Sequence, residues 1–290
     1  MLSDEFVINY HITEKCNYAC RHCYAKWKID NNQEIHRDMT QVEILLNRLY
    51  DFFSKRSKRL RLNLAGGEPL LCKHIGQIIE LANSIGFRVS LISNGSPLTE
   101  KFIRSHAKQL SMLGLSIDSL QPSRLKKIGR LSKCHQYLSA QHWFELIKLL
   151  RDSNEALLIK INTVVCQFNY DEYLGDFIDQ ITPDKWKIFR VLPLDNNSVR
   201  ISNEAFSLFL DNHKQVTTPC YIENNEDMTE SYIMVDPIGR FYQNSSVHNG
   251  GYTYSQRITE VGIEQAFNQI NFNLDKYHNR YILRRQSHEC

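Results

Sequence analysis

The amino-acid sequence predicts an α/β fold: a parallel sheet with helices on its outer face, closed fully or partly into a barrel. Three observations carry that expectation. Six strand-like runs alternate with five segments of helical apolar period over the first two-thirds of the chain. No repeat or low-complexity tract interrupts them. The length of 290 residues suits one large α/β unit at least as well as two small domains.

The elements follow in order. Strands are expected at 6–13 (FVINYHIT), 60–65 (LRLNLA), 88–93 (RVSLIS), 112–117 (MLGLSI), 157–165 (LLIKINTVV) and 186–192 (WKIFRVL). Helices are expected between them at 41–55, 75–85, 100–110, 139–153 and 171–181, each with apolar residues recurring every three to four positions. Strand–helix–strand units of this kind run parallel. Beyond Leu192 the order loosens. One helix at about 203–213 precedes SYIMVD and GRFYQN, which flank Pro237 and read as a hairpin. The expected division is a barrel over 1–195 and a C-terminal extension over 196–290 that caps it, both in one structural unit.

The strands break a rule. Strands covered by helices should be almost continuously apolar. Here alternate positions are polar: Asn9, His11 and Thr13; Arg61 and Asn63; Lys160 and Asn162; Lys185 and Lys187. Their neighbours, such as Leu62, Leu64, Ile159 and Ile161, are apolar and suit the helix-covered face. The polar set then faces the barrel interior, which branched hydrophobic residues normally fill. Inward cations are costly unless a polyanion or water pairs with them. Solvated strand ends would explain one such strand; a pattern shared by four points to a charged ligand.

Bulk properties exclude several classes. A formal charge of +3 is too small to argue for nucleic acid or a membrane surface. No apolar run approaches the roughly 20 residues of a membrane span, and the N-terminus lacks the pattern of a signal peptide. A reducing, cytoplasmic location is therefore expected. Cys72, Cys134, Cys166, Cys220 and Cys290 are scattered singly and are expected to be buried thiols.

The stretch KCNYACRHCYAKW is different, with Cys16, Cys20 and Cys23 inside eight positions. A structural zinc wants a fourth ligand, and His22 or His11 could complete a Cys3His knuckle, although CxxxCxxC is unusual zinc spacing. Iron–sulfur clusters held by protein alone usually take four cysteines. Three imply a site left open, or a ligand from elsewhere.

Followed by AGGEP (Ala65 to Pro69) at the end of the second strand, this motif resembles the radical S-adenosylmethionine (SAM) superfamily. The resemblance implies a partial (β/α)6 barrel with a C-terminal capping extension. It also implies a [4Fe–4S] cluster on the three thiolates, with SAM as cosubstrate on the fourth iron. Gly66 and Gly67 would let the backbone approach the cofactor. Glu68 would place negative charge by the SAM amino group, and Tyr24 would pack beside the cofactor.

The likeness extends further. NYHITEKCNYAC, NLAGGEPLL, VSLISNGS, LGLSIDS, IKINTVVCQFN, KWKIFRVL, SNEAF and SYIMVDPIGRFYQN are similar to the viperin family, prokaryotic members above all. That implies conversion of a nucleoside triphosphate into its 3′-deoxy-3′,4′-didehydro analogue, a chain terminator in antiviral, here anti-phage, defence. It assigns triphosphate binding to Asn9, Arg61, Lys160, Asn162, Lys185 and Lys187. Arg61 stands where animal members have Lys, and Lys185 where they have Arg; the two donors are not equivalent. Ser93, Asn94 and Ser116 match positions near SAM, with a purely structural role at strand ends as the alternative for Asn94 and Ser116. Tyr232 matches a tyrosine acting late in the reaction, and Tyr232 and Lys187 are the candidate proton donors.

The membrane helix and the tryptophan-ending C-terminus of animal members have no counterpart, so no membrane attachment is expected. The implied partners are the nucleoside triphosphate and an electron donor such as flavodoxin or ferredoxin, with no nucleic acid and a monomeric chain. Two other readings remain open. One is a radical SAM enzyme of cofactor biosynthesis acting on a purine nucleotide; that family has a second C-terminal cysteine cluster, which Cys220 and Cys290 do not form. The other is a non-catalytic zinc protein that binds nucleotides.

Overall fold

Residues 5–132, 134–192, 197–244 and 251–282 are described by the computed structural model. Six parallel strands form its centre: Glu5–His11 (β1), Arg59–Ala65 (β2), Arg88–Ser93 (β3), Met112–Ser116 (β4), Leu158–Val165 (β5) and Lys185–Arg190 (β6). The helices between them are Met39–Ser54 (α1), Ile75–Ile85 (α2), Glu100–His106 (α3), Pro122–Ile128 (α4), Ala140–Ser153 (α5) and Gly175–Ile181 (α6). Leu62, Leu64, Ile159 and Ile161 are completely buried among helix residues such as Leu45, Leu46 and Ile78. The apolar positions of the strands therefore face the helices.

Local chemistry sets the helix ends. The Asp38 carboxylate accepts from the backbone N–H groups of Thr40 and Gln41 at the start of α1, and Ser139 caps α5 through the N–H of His142. Gly129 ends α4 at φ +85°.

After Leu192 the chain is built into the same sheet. The helix Asn203–Asn212 (α7) leads to Cys220–Glu223 (β7), which pairs in parallel with β6. The chain then crosses to the far side of β1. Ile233–Val235 (β8) pairs in parallel with β1, and Arg240–Asn244 (β9) and Tyr252–Arg257 (β10) follow antiparallel. The resulting order is β10-β9-β8-β1-β2-β3-β4-β5-β6-β7. Short helices Ile258–Val261 (α8), Ile263–Phe267 (α9) and Leu274–Ile282 (α10) close the described chain. The boundary expected at residues 195 and 196 lies outside the described residues, as does Cys290.

The hairpin around Pro237 forms, with Val235 opposite Phe241 and Met234 opposite Tyr242. The helix expected over 171–181 begins only at Gly175. Upstream, the Asn169 side chain accepts from the Cys166 N–H at 2.7 Å, and Glu172 accepts from the Leu120 N–H at 3.0 Å. These local bonds compete with helix formation. The expectation that the scattered cysteines are buried fails for Cys134, which is exposed in a polar turn, and for half-buried Cys220; Cys72 and Cys166 are buried. No helix among the described residues is long and apolar enough to cross a membrane.

Candidate active site

A cavity of about 310 Å³ opens inside the curved sheet, lined by residues from β1 to β7 and from the segments around β8. Eight of the nine alternate polar strand residues line it: Asn9, His11, Arg61, Asn63, Lys160, Asn162, Lys185 and Lys187. Thr13 lies beyond the end of β1 and donates instead to the buried Glu34 carboxylate at 2.9 Å. Cys16, Cys20, Cys23, Tyr24, Gly66, Gly67, Ser93, Asn94, Ser116 and Tyr232 also line the cavity. Glu68 does not. Completely buried behind the wall, it accepts from the Ser93 hydroxyl at 2.9 Å and the Asn94 N–H at 2.7 Å. Burial pushes its carboxyl up to about 7, while those bonds pull the other way.

Backbone contacts hold the cysteine loop. Gly67 donates to the Thr13 carbonyl at 2.7 Å and Glu68 to that of Lys15 at 2.9 Å. A Cβ at Gly66 would stand 2.5 Å from the Thr13 oxygen, and one at Gly67 2.4 Å from that of Lys15. The two glycines are thus required first by the chain that carries the cysteines. On the other side, Arg21 donates to the Ile128 carbonyl at 2.8 Å, pinning the loop to the end of α4. Asn94 reaches across to Asn17 at 2.9 Å.

Each sulfur has distinct surroundings. Cys16 Sγ accepts from the Tyr18 N–H at 3.4 Å and from Asn94 at 3.9 Å. Cys20 Sγ accepts from Arg130 at 3.7 Å. Burial pushes the Cys20 thiol up to about 12 and raises Cys16 and Cys23 as well. A metal that binds them must displace protons, and the N–H donors then favour the thiolates. Three thiols with separate donors around an open cavity fit a cluster whose irons each take one cysteine. Among the described residues, no three His, Cys, Asp or Glu side chains converge on a point for one ion.

The sequence reading did not assign Arg130 or Asp118 to the site, and it gave His11 and His22 other roles. Arg130 makes an ion pair with Asp118 at 2.7 Å and donates to the Ser116 carbonyl at 2.8 Å. Asp118 also faces His22 at 3.4 Å. His11, held neutral with its pKa lowered to about 3 by burial, lies 2.9 Å from the Tyr242 hydroxyl and 3.2 Å from that of Tyr24. Arg130 belongs to no short motif, and α4, which leads to it, is too short to read.

The opposite end of the cavity is cationic. Burial lowers the Lys160 pKa well below the usual lysine value, and Lys187, Arg61 and Lys185 depress it further. Arg61 is partly neutralised by Glu5 at 2.8 Å. The Asn162 Oδ1 atom is buried with no hydrogen-bond partner. Lys187 donates to the Tyr232 hydroxyl at 3.0 Å and pairs with Glu223 at 2.6 Å, while Tyr232 donates to the other oxygen of Glu223. Glu223 lies on β7, which the sequence reading missed because four residues beside Pro219 show too little periodicity.

Comparisons with known proteins follow this geometry. The family model described as Radical SAM superfamily matches residues 10–181. An S-adenosylmethionine-dependent nucleotide dehydratase of Psychrobacter lutiphocae is 41% identical over 96% of this chain and 95% of its own length. One of Pseudoalteromonas ulvae is 37% identical over 96% of this chain and 93% of its own. Among solved structures, native anSMEcpe with bound AdoMet and a peptide matches with a TM-score of 0.69 at 14% identity, covering 95% of this chain and 82% of that one. Coproporphyrinogen III oxidase from Escherichia coli matches with a TM-score of 0.58 at 11% identity, covering 96% and 74%. At such identities the structural likeness concerns the fold alone.

Proposed function

The chain belongs to the radical SAM superfamily and, within it, to the S-adenosylmethionine-dependent nucleotide dehydratases; from that premise we propose that it removes the 3′-hydroxyl of a nucleoside triphosphate as water, giving the 3′-deoxy-3′,4′-didehydro nucleotide. One observation carries this reading: a single cavity joins three thiols at one end to four cations at the other. When bound on Cys16, Cys20 and Cys23, a [4Fe–4S] cluster with SAM supplies an electron and a 5′-deoxyadenosyl group that removes one hydrogen atom, here from C4′.

The remaining work falls to the chain. Lys160, Lys185, Lys187 and Arg61 hold the phosphates, with Asn9 and Asn162 as neutral donors. A triphosphate relieves the mutual repulsion that lowers the Lys160 pKa. Ser93, Asn94 and Ser116 line the SAM end, and Gly66, Gly67 and Glu68 fix the height of the cysteine loop. Tyr24 borders the same end, its hydroxyl 3.2 Å from His11. Lys187 and Tyr232 hold a proton where the ribose would sit between the two ends, and expulsion of the 3′-hydroxyl needs one proton and one further electron. A flavodoxin- or ferredoxin-class donor would supply electrons to a monomeric chain in the cytoplasm. Its product would serve as a chain terminator in anti-phage defence.

The test is anaerobic reconstitution with iron and sulfide, followed by reductant, SAM and the four common nucleoside triphosphates in competition. The expected result is 5′-deoxyadenosine together with a nucleotide lighter by one water. Tyr232→Phe should lower the ratio of dehydrated nucleotide to 5′-deoxyadenosine. Nucleosides turned over as well as triphosphates by the wild-type protein would overturn the reading.

A further inference from the structure

Glu223 sits where β7, one edge of the sheet, approaches the start of β8 on the far side of β1. It ends β7, opposite Phe189 of β6, whereas Tyr232 immediately precedes β8, which pairs with β1. The hydroxyl–carboxylate bond between them spans the seam of the partial barrel. Only 2% of Glu223 is exposed. A buried carboxylate beside cations that await a polyanion weakens phosphate binding, so its presence calls for another role.

The hydrogen bonds define that role. Tyr232 donates its proton to one oxygen of Glu223, the other oxygen lies 2.6 Å from Lys187 Nζ, and Lys187 lies 3.0 Å from the phenol oxygen. The three groups form a closed ring. Because the phenol proton points at Glu223 and not at open space, a phenol that loses an electron can lose its proton in the same event.

We propose that Glu223 is the proton acceptor for Tyr232 during dehydration, a positioning residue that acts through Tyr232 and Lys187 and does not contact the nucleotide. The proposal rests on the dehydratase reading above. In the step, the C3′–O bond of a nucleotide carrying a C4′ radical breaks. Lys187 gives a proton to the departing hydroxyl, which leaves as water. Tyr232 gives one electron, completing the C3′–C4′ double bond, and its proton passes to Glu223. Glu223 returns a proton to the now neutral Lys187. The sum is one hydrogen atom taken from Tyr232, leaving a neutral tyrosyl radical. A low-potential one-electron carrier of the flavodoxin or ferredoxin class, with a proton from water, restores the phenol.

The experiment compares wild type, Glu223→Gln and Glu223→Asp as full-length, cluster-loaded protein in single turnover with an equimolar mixture of CTP, UTP, GTP and ATP. It measures dehydrated nucleotide per 5′-deoxyadenosine. Calorimetry of the metal-free protein with inorganic tripolyphosphate supplies a second readout. Gln cannot take the proton, so the ratio should fall at least about tenfold, the lower range of general acid–base effects being larger still. Asp should recover part of it. Tripolyphosphate should bind Gln at least as tightly as wild type, because a negative charge has left the cation cluster. Should Gln fail to fold, a drop confined to the product ratio of Asp carries the same conclusion. A Gln ratio equal to wild type overturns the proposal. So does joint loss of both products and of tripolyphosphate binding, which would make Glu223 a wall of the pocket only. A wild-type protein that dehydrates none of the four nucleotides would instead overturn the underlying reading.

Discussion

The two ends of the cavity respond to burial in opposite ways. At the cysteine end, burial raises the thiols and so favours their neutral form. At the cationic end, burial and neighbouring cations lower Lys160, again favouring the neutral form. Each end therefore holds groups whose charged form the protein alone does not stabilise, and the partners that would stabilise them have opposite signs. On the proposed function, the cysteine end takes metal cations and the other end takes a polyanion. They also differ in construction. The cysteine end is one loop clamped by backbone bonds, while the cationic end takes single side chains from separate strands.

The comparison breaks most severely at the cysteines. If each thiolate holds its own iron, as proposed, Cys16→Ala, Cys20→Ala and Cys23→Ala should each abolish SAM cleavage. Cys134→Ala, in an exposed turn, should leave it intact. Formation of 5′-deoxyadenosine by a triple alanine variant would refute the assignment. Gly67→Ala should come next. Its Cβ would meet the Lys15 oxygen at 2.4 Å and that of Glu14 at 2.5 Å, lifting the loop that carries the cysteines. Overpacking of this kind costs about 1–3 kcal/mol, read as a lower melting temperature and fewer irons bound per chain.

Smaller effects sharpen the cationic end. Lys160→Met removes a charge with no hydrogen-bond or ion-pair partner among the described residues, and should weaken triphosphate binding by about 1.5–3 kcal/mol. Arg61→Met should cost less, because Glu5 at 2.8 Å already offsets part of the Arg61 charge. Calorimetry with tripolyphosphate on both variants checks the order. Equal losses would show that Glu5 releases Arg61 when the anion arrives.

The same contrast explains what was legible in the sequence. The cysteine loop and AGGEP are contiguous, so their spacing is visible directly. The inward cations were legible for another reason: period-two alternation survives wherever one strand face is wet. Arg130, Asp118 and Glu223 escaped notice because each reaches the site through tertiary contacts alone. Arg130 depends on where α4 ends, and Glu223 depends on a four-residue strand. Crossing from β7 at one sheet edge to β8 beside β1 leaves no local trace either, yet it brings Tyr232 against Glu223.

The half-buried Lys160 also ties folding stability to proton concentration. A chain that unfolds returns Lys160 to its ordinary value of about 10.5, whereas the folded chain holds it well below. Between those two values the unfolded state binds more protons, so the ligand-free fold gains stability as pH rises through that window. Below the window both forms are protonated and the penalty is present in full. A bound triphosphate favours the charged lysine and shrinks this dependence. Its binding at mildly alkaline pH should therefore draw a proton from the buffer, visible as a calorimetric enthalpy that changes with the buffer's own heat of ionisation. At about one hundred times its dissociation constant the ligand adds roughly 2.7 kcal/mol of stability. On the proposed function, the nucleotide would then be part of what keeps this barrel folded with its cations inside.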